Sequence, residues 1–213
     1  MKKLLLSAFV ICLAGTSIAQ ESPLWMRHCA LSPDGTTIAF TYKGDIYTVP
    51  STGGRATQIT TNPAFDTEPV WGPDSKQIAF ASDRMGSLDV FVVSSEGGAP
   101  QRLTTHSGSE KPVAYKDNKH ILFTANIAPS AEDAGFPSGQ FQQVYEVAVT
   151  GGRPAMFSSM PMECISINKE GVMLYQDKKG YEDYWRKHQV SPIARDIWTY
   201  LSLIHISEPT RQA

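Results

Sequence analysis

The stretch from Asp45 to Thr60, DIYTVPSTGGRATQIT, constrains this chain more than any other. β-branched and aromatic residues run up to Gly53-Gly54, and a second apolar run follows the pair. That is the pattern of a strand, a tight turn and a second strand. It returns at residues 89–104 (DVFVVSSEGGAPQRLT) and 143–158 (QVYEVAVTGGRPAMFS), and starts again at residues 196–200 (DIWTY). A chain built from copies of one small unit must stack them, because no unit can bury its apolar faces alone.

Each copy extends upstream. The first unit reads LSPDGTTIAF at residues 31–40 before DIYTV, and the second reads VWGPDSKQIAF at 70–80 before DVFVV. The third has VAYKDNKHILF at 113–123 and the fourth ISINKEGVMLY at 165–175. Asp34, Asp74 and Asp117 mark equivalent turns, 40 and then 43 residues apart. In Pro33-Asp34-Gly35 the proline presets φ, the aspartate bonds its local backbone and the glycine accepts positive φ. Four short strands per unit, with no helical period between them, describe a β-propeller blade. The expected fold is therefore all-β: an incomplete propeller spanning residues 20–200, with blades near 31–69, 70–112, 113–164 and 165–200, or about three and a half blades.

Two blades carry insertions between their second and third strands, at residues 127–142 and 176–195. In a four-stranded meander that loop lies on the same face as the blade-to-blade loop. The long loops therefore gather on one face, which is where function is expected.

Composition narrows the rest. With 213 residues and 41% hydrophobic content the chain can bury a sizeable core, and a net charge of −2 speaks against nucleic acid or an anionic membrane as partner. Lys2 and Lys3, the apolar run 4–14 and Ser17-Ile18-Ala19 form a signal peptide over residues 1–19. Export to the periplasm is expected, with no membrane association after cleavage. Cys29 and Cys164 then remain, and they read as two small buried apolar residues.

The fourth copy breaks off. In the first three blades a glycine follows the third strand's last residue by four positions, and the corresponding position after Tyr200 is Ile204. Residues 201–211 resemble the conceptual translation of a transposase-type sequencing adapter. The expectation is that residues 201–213 are a non-native tail and that blade four lacks its outer strand. Open blade edges of this kind would favour a homo-oligomer.

No G-x-S-x-G, H-E-x-x-H, P-loop or Cys/His metal pattern is present, so no catalytic residue, metal or cofactor is assigned. His28, His106, His120, His188 and His205 stand singly. Asp45, Asp89 and Asp196 share one blade position, which points to a structural role at a strand start. Glu68, Glu110 and Glu163 recur just before the first strands of successive blades and are candidate acids at the channel mouth. The least repeat-like segment holds Glu182, Asp183, Trp185, Arg186 and His188, a mixture suited to a peptide or domain contact.

The repeat SPDG…IAF…DIY…GG…QIT resembles the TolB-like, WD-like propeller repeat. With the export signal and YEDYWRKHQVSPIARDIW, the chain more narrowly resembles the N-terminal propeller of tricorn-like proteases of the Bacteroidetes type. The resemblance implies downstream domains ending in a serine peptidase, whose catalytic residues have no counterpart here. The propeller would gate or guide peptide substrates, and this chain alone would be inactive. A stand-alone TolB-like propeller that binds a protein partner is the alternative.

Overall fold

Every strand among the described residues belongs to an antiparallel meander. The structure, a computed structural model, describes residues 25–125, 142–158, 160, 162–168, 170–177, 197–201 and 205–206. Blade one holds β1 (Arg27–Leu31), β2 (Thr37–Tyr42), β3 (Asp45–Pro50) and β4 (Thr57–Gln58). Blade two holds β5 (Asp66–Trp71), β6 (Gln77–Ser82), β7 (Asp89–Ser94) and β8 (Gln101–Arg102). Blade three holds β9 (Glu110–Tyr115), β10 (His120–Ala125), β11 (Gln143–Ala148) and β12 (Ala155–Ser158). Blade four holds β13 (Met162–Ile167), β14 (Met173–Asp177), β15 (Ile197–Leu201) and β16 (His205–Ile206). Within each sheet the strands follow chain order, which is the four-stranded blade arrangement of a propeller.

One turn chemistry closes the first hairpin of all four blades. Asp34 Oδ1 accepts from Thr36 N at 3.0 Å, Asp74 from Lys76 N at 3.0 Å and Asp117 from Lys119 N at 2.6 Å. Asn168 takes the same part in blade four, accepting from Glu170 N at 3.0 Å and Val172 N at 2.8 Å. The next hairpin needs positive φ twice in succession, met by Gly53 (89°) and Gly54 (128°) and their counterparts in blades two and three.

The core lies between blades. Ala39 and Ile46 of blade one pack with Ile78, Phe80, Phe91 and Val93 of blade two. Ala79, Val90 and Val92 on the other side of blade two pack with Ile121, Phe123 and Tyr145 of blade three. Alternation along each strand thus serves two interfaces at once. An aromatic pair repeats at the same register: Phe40 opposite Tyr47, Phe80 opposite Phe91 and Phe123 opposite Tyr145, with ring centroids 5.9, 5.9 and 5.7 Å apart. Each such pair adds about 0.5–1.5 kcal/mol beyond its buried area.

The first strands begin earlier than the hydrophobic pattern places them, at Arg27, Asp66, Glu110 and Met162. The opening residues of β1, β5 and β9 are polar or contain proline and read as loop, and Met162-Glu163-Cys164 of β13 lies ahead of the apolar run; a bulge in each strand carries the ladder across them. His28, Glu68 and Cys164 take left-handed backbone at these bulges, with φ of 51°, 55° and 51°. Pro112 cannot adopt that conformation, and in blade three the extra residue is Val113, between Pro112 opposite Phe123 and Ala114 opposite Leu122.

Two expectations are corrected here. Cys29 and Cys164 are free and exposed rather than buried, because both fall in the bulged stretches between Arg27 and Ala30 and between Glu163 and Ser166. Blade four does have an outer strand, since β16 pairs with β15 through Tyr200↔Ile206 and Leu201↔His205. A two-residue ladder needs only backbone amides, so no side-chain pattern announced it.

Leu122 and Leu174 hold the same blade position, each opposite the first strand of its own sheet. Leu122 is fully buried against blade four, whereas Leu174 is 47% exposed on the far side of blade four. Leu122→Ala is expected to cost about 2–5 kcal/mol. Leu174→Ala should cost about 1 kcal/mol or less. Equilibrium urea denaturation of the two variants measures the difference, and equal losses would contradict blade-on-blade burial.

Candidate functional site at the blade seams

The register brings the starts of first and third strands to one end of each blade. Ser82 pairs with both Asp66 and Asp89, and Ala125 with both Glu110 and Gln143. Residues 126–141 and 178–196 join second and third strands at that same end. Glu182, Asp183, Trp185, Arg186 and His188 lie in the second of these segments, outside the described residues, as does Asp196.

At this end the chain buries carboxylates between blades. In the seam of blades one and two, Asp66 is fully buried and Arg84 Nη2 donates to both its oxygens, at 2.9 and 3.0 Å. The Arg84 Nε donates to Ser82 Oγ at 2.8 Å, and its guanidinium lies 4.4 Å from the centre of the Phe91 ring. Asp45 accepts from Gln58 Nε2 at 3.0 Å and from Thr60 Oγ1 at 3.3 Å. Burial raises the affinity of Asp45 for a proton, with the neighbouring Asp66 charge adding to it.

The seam of blades two and three repeats the acids with fewer donors. Asp89 and Glu110 are 0% and 1% exposed, and Arg102 Nη2 forms an ion pair with Asp89 Oδ2 at 2.8 Å. The two carboxyl groups lie within hydrogen-bonding reach of each other. Among the described residues, Asp89 Oδ1 and Glu110 Oε2 have no hydrogen-bond donor. Burial pushes the Glu110 carboxyl up to about 7, and the Asp89 charge adds to it. The Thr104 hydroxyl, the His106 backbone N–H and Arg102 act in the opposite direction. Asp89 is raised as well, again by burial first. In the seam of blades three and four these positions hold Gln143 and Met162, which carry no charge.

The glutamates singled out by spacing are not equivalent in space. Glu68 is third in β5, Glu110 first in β9 and Glu163 second in β13. Glu68 reaches across the seam to Lys111 Nζ at 2.7 Å, a partly exposed pair worth about 1 kcal/mol at most. Glu163 is half-buried in β13. The position that repeats is Asp66 and Glu110, and Asp66 was missed because it precedes the apolar part of its strand. The structural role expected of Asp45 and Asp89 at strand starts fits their placement. A buried threonine backs each one: Thr60 Oγ1 accepts from Ile46 N and Thr104 Oγ1 from Val90 N, both at 2.9 Å.

On the opposite face a cleft of about 390 Å³ opens between blades one and two. Asp34, Thr57, Arg55, Trp71, Ser75 and Glu96 are among its lining residues. The Trp71 indole is held in place by donating to Ala30 O at 3.0 Å. Among the described residues, no group of three or more His, Cys, Asp or Glu side chains is placed to hold a metal ion.

Thr104→Ala removes the acceptor of a buried N–H and is expected to destabilise the chain by about 1–3 kcal/mol. Thr104→Ser keeps the hydroxyl and should recover most of that loss. Denaturant midpoints of the two variants check it, and an Ala variant as stable as the parent would contradict the bond.

The tricorn protease N-terminal beta propeller domain family matches residues 23–206. Over 77 residues the chain is 38% identical to tricorn protease homolog 1 of Streptomyces coelicolor, covering 36% of this chain and 7% of that protein. Over 108 residues it is 31% identical to the peptidase YuxL of Bacillus subtilis, covering 45% of this chain and 16% of that protein. The chain therefore spans well under two thirds of these relatives' length. Among solved structures it is similar to the tricorn protease (TM-score 0.58, 14% identity, 83% of this chain and 21% of that one). It is equally similar to TolB from Acinetobacter baumannii (TM-score 0.58, 18% identity, 82% and 40%). At these identities the structural likeness speaks for the fold alone, whereas the family match extends through all four blades. This chain belongs to the family of tricorn protease N-terminal β-propeller domains.

Proposed function

We propose that this chain supplies the N-terminal propeller of an exported, tricorn-like serine peptidase, and that its loop-bearing face gates or guides peptides toward a catalytic serine carried in another domain. The family match over residues 23–206 carries this reading. Two relatives, 38% and 31% identical over part of this chain, are a tricorn protease homologue and a peptidase. They favour a peptidase over a stand-alone TolB-like binding propeller, which fold similarity by itself leaves level. A rigid stack of blades suits the part, because it holds mobile chemistry on loops at a fixed position. Acyl transfer would take place at the distant serine, and the propeller would act only on which peptides arrive.

The test uses this chain and fluorescently labelled peptides of graded length. It should bind them, raising their anisotropy, without hydrolysing them. Trp185→Ala and Arg186→Ala together should weaken binding by about tenfold or more, the usual scale for a Trp or Arg anchor. The secreted product should begin at Gln20. Peptide hydrolysis by this chain, or an affinity for peptides indistinguishable from zero, would overturn the proposal.

A further inference from the structure

We propose that the seam between blades two and three is a proton-operated latch, in which Asp89 and Glu110, buried side by side with a single arginine, share one proton when the seam is closed. The charge count requires something of this kind. Among the described residues, two carboxylates that are 0–1% exposed and one Arg102 guanidinium, whose side chain is 30% exposed, leave one negative charge uncompensated. Such a charge is expensive to keep, and a buried group takes up a proton instead.

The neighbouring seams show what is particular here. In the first, Arg84 donates twice to Asp66, while Gln58 and Thr60 donate to Asp45, so both acids have donors. The third carries Gln143 and Met162 in place of the acids. Only in the second do Asp89 Oδ1 and Glu110 Oε2 stand without a donor among the described residues. One proton on the Glu110 carboxyl supplies that donor and removes the surplus charge in a single step. The resulting O–H···O⁻ bond is of the strong, charge-assisted kind.

Among the described residues, the remaining groups around the pair do not supply the missing charge. From β7 the pair is faced by Asp89 itself, from β8 by Arg102, and from the segment joining β8 to β9 by the Thr104 hydroxyl and the His106 backbone N–H. The His106 ring is occupied elsewhere, its Nδ1 accepting from Gly108 N at 3.0 Å. Lys111, next in β9, is committed to Glu68. The coupling to structure is direct, because Glu110 N donates to Leu88 O at 2.7 Å and so ties blade three to blade two beside the pair. Burial holds Glu110 up at about 7, well above the ordinary carboxylate range. The folded chain therefore binds more protons than the unfolded chain between that range and about 7. Stability is greatest below this window, falls as pH rises through it and levels off above.

The unfolding equilibrium constant, measured by urea denaturation at pH 5, 6, 7 and 8, should rise by up to about tenfold per pH unit between pH 5 and 7. Glu110→Gln keeps the shape and offers an N–H to Asp89, so it should flatten that rise and match or exceed the parent's stability at pH 8. Asp89→Asn, which leaves Glu110 and Arg102 as a balanced pair, should flatten it too and serves if the first variant fails to fold. Magnesium or calcium chloride at pH 8 should leave the parent unchanged against a sodium chloride control of equal ionic strength. A pH profile unaltered in a folded variant, or stabilisation by the divalent ion equal to that of acid, would overturn the latch.

Discussion

Burial of one sheet against the next is the constraint on which everything else in this chain depends. A single four-stranded meander presents two apolar faces and can bury neither by itself. Ala79 and Phe80 make the point within one strand. Both are fully buried, yet Ala79 packs toward blade three and Phe80 toward blade one. Because each blade is completed by its neighbours, stability is cooperative along the stack. Where a face has no neighbour among the described residues, as at Leu174 and Ile197 in blade four, large apolar side chains stay exposed at 47% and 53%.

Apolar burial alone would allow blades to slide on one another. Polar contacts set their register. The backbone of the first two seams is tied at the loop-bearing end, by Asp66 N to Gly44 O and by Glu110 N to Leu88 O, both at 2.7 Å. At the other end Trp71 Nε1 donates to Ala30 O and Gln101 Nε2 to Thr150 O, both at 3.0 Å. The acids sit beside the first set of ties. They cost desolvation energy, and their arrangement differs from seam to seam.

Much of the fold was legible in the sequence because hairpin turns and apolar periodicity are local signals. Pro33-Asp34-Gly35 and the glycine pairs marked the hairpins, and DIYTV and DVFVV marked the third strands. What escaped was set by tertiary context. The bulges let β5 begin at Asp66 and β9 at Glu110, among residues that read as loop, and they turned Cys29 and Cys164 outward. Glu68, Glu110 and Glu163 looked equivalent by spacing, yet one pairs with lysine, one is buried and one is half-buried. Charge burial depends on what the next blade places opposite, and no single repeat contains that information. The peptide-contact candidates at Trp185 and Arg186 came from their departure from the repeat, and they lie outside the described residues.

Rigidity of the blade stack is the property most open to direct measurement. Native-state hydrogen exchange read by mass spectrometry measures it strand by strand, on the timescale of local opening. The slowest exchange is expected in β6, β7 and β10, which are covered on both faces, and clearly faster exchange in β14 and β15. Uniform protection across the blades, or slowest exchange in blade four, would contradict it.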